Sequence, residues 1–134
     1  MFTEVNRELR GHPFMPPKSS DLPELYQSEH TQAADKPIWA RFYLGSMNWW
    51  LAEWDLIQGL AFGLVTLGDG RERDAEWGYF LLPELEAIRV DRLMLLDGAQ
   101  IAMPAVVERD LTFVAPLVAR DAIPSQFHRD WWFG

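Results

Sequence analysis

The sequence contains no cysteine, and this absence removes several kinds of chemistry. Disulfide bridges, thiolate zinc sites and cysteine nucleophiles all require the sulfur atom of this residue. A chain without cysteine suits a reducing compartment. No run comes close to the roughly 20 apolar residues that span a membrane, and residues 1–12 lack the apolar stretch of a signal peptide. We therefore expect a cytoplasmic protein that does not associate with membranes.

Basic residues are also scarce. Lysine and arginine total 12 against 20 aspartate and glutamate residues, which gives a formal net charge of -8. A general nucleic-acid-binding protein needs a basic face to neutralise phosphates, so the composition argues against that class. Two interpretations of the acidity stay open. It keeps the protein soluble, or it forms a surface that docks on a basic partner or imitates the phosphates of DNA.

The motifs that mark many enzymes and metal sites are missing. His12, His30 and His128 stand far apart without H-x-x-x-H or H-x-H spacing, so no zinc site is expected. No G-x-S-x-G, Walker-type or G-x-G-x-x-G pattern occurs. The few serines lie in predicted loops, and the neighbours Ser28 and His30 do not suggest a catalytic triad. We expect no cofactor and no bound metal, and the sequence favours a protein that is not an enzyme.

Aromatic residues, by contrast, make up 13% of the chain, and most of the seven tryptophans lie between Asn48 and Arg89. Tryptophan fills cores and also anchors binding surfaces. In a chain of this length most aromatic side chains must be buried, because few other residues supply enough apolar area. The segment from Asn48 to Arg89 is therefore predicted to form the centre of the fold.

The 134 residues are predicted to form one domain, with a core at 22–115, an N-terminal helix and proline-rich wrap at 1–21, and an aromatic tail at 116–134. Short helices are expected at 2–10, after Ser20 and Asp21, and after Pro83. Strands that follow one another with little helix between them favour an antiparallel sheet, so the expected fold class is α+β. Apolar patterns predict about five strands, at 38–45, 48–55, 60–68, 76–82 and 108–116.

Residues 90–105 allow two interpretations. LMLL and QIAM are apolar, and the Asp97-Gly98 pair between them is typical of a two-residue hairpin turn. The alternative is a loop that crosses the sheet.

Five segments carry a resemblance to a known family. In their order and spacing they resemble a family of small bacterial proteins that share a domain of unknown function and are common on plasmids and integrative elements. The family pattern is LPxLY, WxxxExD, FGL, ELGYxSLxELE and VERDL; here Trp77 replaces a leucine of that pattern and Leu81 replaces a serine. The resemblance implies a mobile-element setting and supports the fold, and it brings no activity with it. The segments are LPELY (22–26), NWWLAEWD (48–55), FGLVTLG (62–68), EWGYFLLPELEAIR (76–89) and VERDLTF (107–113).

Five residues on the predicted strands are candidates for a pocket: Glu53, Asp55, Glu76, Tyr79 and Arg109. Paired carboxylates can bind a hard cation or share acid and base work. The alternative is that the acids are solvated charges at strand ends. Arg109 is expected to form a structural ion pair with one of the three acids in preference to an anion site, and Tyr79 is expected to be a buried, hydrogen-bonded phenol.

Strand alternation makes a further prediction about two of these acids. Side chains two residues apart on a strand share a face, so Glu53 and Asp55 are expected on one face. If Trp49 and Leu51 lie on that same face, the acids are at its polar end.

The tail SQFHRDWWFG is unusual because a terminus is normally polar. Either it docks on its own domain or it offers Trp131, Trp132 and Phe133 to another chain. The favoured function is a non-enzymatic accessory protein of a mobile element that acts by protein–protein interaction. It would either inhibit host defence, as an anti-restriction or anti-CRISPR protein, or take part in maintenance of the element. The alternatives are a small enzyme or ligand-binding domain that uses the five-residue pocket, and a homodimer joined by exposed aromatic residues.

Overall fold

The computed structural model describes residues 2–17, 19–68 and 75–128. Short helices and antiparallel strands make up the described chain. This confirms the predicted α+β class. The elements are α1 (Arg7–Arg10), β1 (Pro37–Ile38), β2 (Ala40–Leu44), β3 (Met47–Trp54), β4 (Leu60–Thr66), β5 (Ala75–Leu81), α2 (Leu82–Ala87), β6 (Arg89–Leu96), β7 (Ala99–Val106), β8 (Glu108–Arg109), β9 (Leu117–Val118) and α3 (Ala119–Ala122).

A five-stranded antiparallel sheet in the order β5-β4-β3-β2-β8 forms the centre of the domain. Its middle strand is β3, in which seven of the eight residues are buried. A strand that is apolar on both faces needs cover on both sides. Strands β1 and β9 form a separate pair beside this sheet, and β6 and β7 form another.

One face of the sheet is covered by the N-terminal segment and α2. Phe14 stacks on Phe42 of β2 with ring centroids 4.4 Å apart. Trp49 and Leu51 of β3 pack into the same cluster, and Leu85 of α2 closes it. The proline-rich wrap is therefore part of the core, and its aromatic residue is fully buried.

The other face is covered by the C-terminal segment. Trp50 of β3 and Leu64 of β4 pack against Ile123 and Phe127. The ring centroids of Trp50 and Phe127 lie 5.7 Å apart. The described part of the aromatic tail, up to residue 128, thus docks on its own domain.

A bulge in β3 changes which face its last residues occupy. The pairing with β4 shifts between Leu51, which lies opposite Gly63, and Glu53, which lies opposite Phe62. The extra residue moves Glu53 to the face of Trp50. Glu53 therefore does not share a face with Trp49 and Leu51, so the condition that would place the acids at the polar end of that face is not met.

Three local predictions also fail, each because a side chain takes backbone hydrogen bonds. The helix predicted at 2–10 is only α1, since the Glu86 carboxylate binds the N–H groups of Val5 and Asn6. No α-helix follows Asp21, because the Glu53 carboxylate binds the N–H groups of Tyr26 and Ser28, and Tyr26 adopts a left-handed φ of 69°. The strand predicted at 108–116 ends after β8, where Asp110 turns the chain by accepting bonds from Thr112.

Strands β6 and β7 pair with each other, so residues 90–105 form a hairpin and not a loop that crosses the sheet. Asp97 and Gly98 form its turn with φ values of 51° and 80°. Positive φ at both central residues is the geometry that matches the twist of a two-residue hairpin.

Candidate functional site

The β6–β7 hairpin exposes apolar side chains that a compact fold would normally bury. All eight residues of β6 are exposed, and so are the first six of β7. Leu93 and Leu95 are 70% and 73% exposed. Large apolar side chains in such numbers are normally buried, and a contiguous exposed group of them marks a contact surface.

Both faces of this hairpin carry apolar side chains. The register places Met94 opposite Ile101 on one face, and Leu93 opposite Ala102 on the other. Arg92 interrupts the first face at its pair with Met103. The hairpin therefore presents apolar surface on two sides and has its polar atoms at the base and the turn.

The base of the hairpin is anchored. Val106, at the end of β7, is buried, and the next residue, Val107, is fully buried in the core. The carbonyl of Val107 accepts a 2.7 Å hydrogen bond from Arg10 Nε. The hairpin thus starts from a fixed point and extends from the domain.

The candidate pocket residue Glu53 lies instead in a buried polar network. It is 3% exposed, and its carboxylate accepts hydrogen bonds from the N–H groups of Tyr26 (2.8 Å) and Ser28 (3.0 Å) and from the Ser28 hydroxyl. Lys36 Nζ donates to the carbonyl and hydroxyl oxygens of Ser28. Burial lowers the pKa of Lys36, and the carboxylates of Glu53 and Glu29 offset part of this effect. The network fixes the loop over the end of β3.

Tyr79 stands beside this network and is exposed, in contrast to the buried phenol expected from the sequence. Its hydroxyl is hydrogen-bonded to Tyr26, which is the main reason that the pKa of Tyr79 is raised. The centroids of its ring and the ring of Phe62 lie 5.1 Å apart. The structure therefore brings Glu53 and Tyr79 to one side of the sheet.

The other three pocket candidates lie elsewhere. Asp55 accepts bonds from the N–H groups of Ile57 and Gln58 and stabilises the turn that follows β3. Glu76 is exposed on the edge strand β5, and Arg109 lies on β8 at the opposite edge. The five candidates do not line one pocket.

The ion pair expected between Arg109 and one of the three acids does not form. The Nε and Nη2 atoms of Arg109 each lie 3.3 Å from the carbonyl oxygen of Pro13. Among the described residues no carboxylate lies within ion-pair distance of this guanidinium. Burial lowers the pKa of Arg109, and the charge of Glu4 offsets part of this effect.

The partner-binding residues suggested for the tail, Trp131, Trp132 and Phe133, lie outside the described residues. Within residues 2–17, 19–68 and 75–128, no group of three or more histidine, aspartate or glutamate side chains is placed to hold a metal ion. The described helices, the longest of which has six residues, are too short to cross a membrane.

No protein-family model, curated protein or solved structure matches the chain. The resemblance to the mobile-element family stands on the quoted motifs alone.

Sequence reasoning missed Ser28 and Lys36, which hold the buried network together with Glu53. A serine in a polar loop and a lysine before a strand give no signal of burial. The hairpin did leave a signal, since two apolar runs flank an Asp-Gly pair.

Proposed function

We propose that this protein acts by binding another protein, and that the β6–β7 hairpin makes the contact. The observation that carries the proposal is the exposure of Leu93 and Leu95 on a hairpin whose base is fixed in the core. An isolated two-stranded hairpin is marginally stable in water, so a partner that covers it would also stabilise it. A second strand pair or an apolar groove is the matching surface.

The charge distribution favours a basic partner. Within the hairpin Arg89 and Arg92 cancel Asp91 and Asp97, so the whole net charge of -8 lies on the rest of the chain. A neutral apolar hairpin beside an acidic body fits a partner whose apolar groove is bordered by lysine and arginine. Such a pair associates quickly, and salt weakens its binding.

A host enzyme that handles DNA is a partner of this chemistry, because surfaces that hold nucleic acid are basic. The resemblance to proteins of plasmids and integrative elements supports the same choice. In this proposal the protein is a stoichiometric blocker of a bacterial defence nuclease. The hairpin supplies the apolar contact, and the acidic body covers the DNA-binding face.

The test compares three tagged proteins in affinity capture from a bacterial lysate at moderate salt. They are the wild type, the double variant Leu93→Ser with Leu95→Ser, and the control Ile57→Ser. Ile57 is as apolar and is also exposed, but it lies on the turn after β3. The captured protein is then purified and titrated against each variant by calorimetry, with and without DNA.

We expect a basic protein bound one to one, competition by DNA, and loss of binding in the hairpin variant alone. Replacing Leu93 and Leu95 together should weaken the binding free energy by at least about 2 kcal/mol, as the loss of buried interface anchors does. Equal binding by all three proteins would contradict the role of the hairpin. Light scattering could instead show a homodimer that depends on the hairpin, with no other protein bound. That result would contradict the basic partner and identify a second copy of this chain as the partner.

A further inference from the structure

Arg109 lines a cleft that is separate from the hairpin and the Glu53 network. The Arg109 cleft has a volume of about 210 Å³ and lies between the proline-rich wrap and the segment after β8. Its walls are mainly apolar and include Pro16, Pro17, Trp39, Arg109, Asp110 and Phe113.

Arg109 and Asp110 are the charged residues that line this cleft, and their charges have different partners. Asp110 is already engaged, because its carboxylate accepts bonds from Arg41 and Thr112. The nearby Glu4 accepts bonds from Arg10 and from the N–H of Phe14. The charge of Arg109 is therefore left without a dedicated acid among the described residues.

The donors of Arg109 are only partly used. Its Nε and Nη2 share one carbonyl oxygen, that of Pro13, at 3.3 Å, which is longer than a strong charge-assisted bond. Nη1 carries two further N–H donors. A guanidinium stays charged at neutral pH even where burial lowers its pKa, so this group offers a fixed positive charge.

We propose that the Arg109 cleft binds a small monocarboxylic acid with a compact apolar body. The carboxylate would meet the guanidinium, and the body would pack against Pro16, Trp39 and Phe113. The volume is below the roughly 300 Å³ at which pockets for drug-sized ligands begin, so the ligand is small.

A carboxylate fits this cleft better than a phosphate for two reasons. One planar guanidinium matches one carboxylate, whereas a phosphate carries more charge and would face Asp110 as well. The apolar walls at Pro17 and Phe113 also leave the hydrated oxygens of a phosphate without partners.

The test uses benzoate as the probe and benzamide as its neutral counterpart of nearly the same shape. NMR follows the Arg109 Nε–H and Trp39 Nε1–H signals of the full chain during each titration. Benzoate should shift both signals saturably, and benzamide should bind at least about tenfold more weakly, because it lacks the charge that the guanidinium recognises. Equal affinities, or no saturable shift with benzoate, would overturn the proposal.

Two variants locate the effect. Arg109→Gln should bind benzoate and benzamide equally, whereas Arg89→Gln, which removes the same charge at the base of the hairpin, should keep the preference. Arg109→Lys keeps the charge and loses the planar donor pair, so it should bind benzoate less tightly than the wild type. A preference for benzoate that survives Arg109→Gln would place the binding elsewhere and refute the assignment. If Arg109→Gln does not fold, Arg109→Lys and the wild-type comparison decide the question.

Discussion

Arg10 and Glu86 form a buried ion pair that ties α1 to α2. Arg10 Nη1 lies 2.8 Å from Glu86 Oε2, and Glu86 is 1% exposed. Arg10 also donates to the backbone carbonyls of Glu86 and Val107. The carboxylate further accepts the N–H groups of Val5 and Asn6, so each charge has several hydrogen-bond partners. This pair attaches the N-terminal segment to the domain and fixes the base of the hairpin.

Arg10→Met should therefore destabilise the protein strongly. Removal of one partner leaves the Glu86 charge buried, and such changes cost about 3–5 kcal/mol of unfolding free energy. The matched control is Arg7→Met, whose guanidinium is largely exposed and lies 3.7 Å from Glu4. That variant should change stability by less than about 1 kcal/mol. Urea unfolding of the three proteins measures both values, and similar losses in the two variants would contradict the role given to the buried pair.

Glu86 also predicts a loss of stability in acid. Burial raises the pKa of its carboxyl, but hydrogen bonds from Val5, Arg10 and Asn6 outweigh burial and leave the pKa below its usual value. A carboxyl with a lowered folded pKa stabilises the protein above its unfolded pKa of about 4.3, and this contribution is lost as the pH falls through the folded value. The free-energy gap between wild type and Glu86→Gln should thus be largest near neutral pH and shrink below about pH 4. A gap that stays constant from pH 7 to pH 3 would rule out this linkage.

Gly63 predicts a different kind of sensitivity. A Cβ atom at Gly63 would lie 1.8 Å from the carbonyl oxygen of Trp50, so the β3 bulge needs a residue without a side chain. Gly63→Ala should cost at least about 3 kcal/mol, the upper end for overpacked sites, because backbone has to move. Gly78 pairs directly with Gly63, and a Cβ atom there meets nothing within 4 Å. Gly78→Ala should stay within about 1 kcal/mol of wild type in thermal unfolding. Comparable losses at the two positions would argue against the bulge as the cause.

Because of the same bulge, the position of Glu53 could not be predicted from the sequence. Apolar patterns predicted four strands of the central sheet, because burial on both faces leaves a plain signal in β3 and β4. The short connections between them predicted the antiparallel arrangement. The bulge itself leaves no pattern, since it depends on how Leu51 and Glu53 pair with the neighbouring strand. Alternation alone therefore does not give the face of Glu53, and its partners Ser28 and Lys36 could not be foreseen.

A side chain that binds distant backbone groups accounts for the error in the N-terminal helix. Glu86 takes the N–H groups of Val5 and Asn6, 80 or more residues away in sequence. No local propensity records such a contact. The hairpin was predicted better than this helix, because a turn at Asp97-Gly98 depends only on neighbours.

The hairpin should be removable without loss of the fold. Residues 91–104 can be replaced by Asn-Gly, which joins Val90 to Ala105, a pair that already faces across the strands. Because the deleted side chains are exposed, the free energy of unfolding should change by less than about 1 kcal/mol. Urea unfolding and a dispersed NMR spectrum of the shortened chain check this result. A molten or unfolded product would show that the hairpin belongs to the folding unit.

Each strand of the hairpin has eight residues, which gives it a reach of about 26 Å at roughly 3.3 Å per residue. A contact made along that length lies away from the packed interior. If the hairpin makes the proposed contact, selection on substitutions there acts through partner binding and hardly at all through folding. A lineage that carries this chain could exchange most of the apolar side chains on the hairpin as its target changes, while Trp50, Phe42 and the Arg10–Glu86 pair stay fixed.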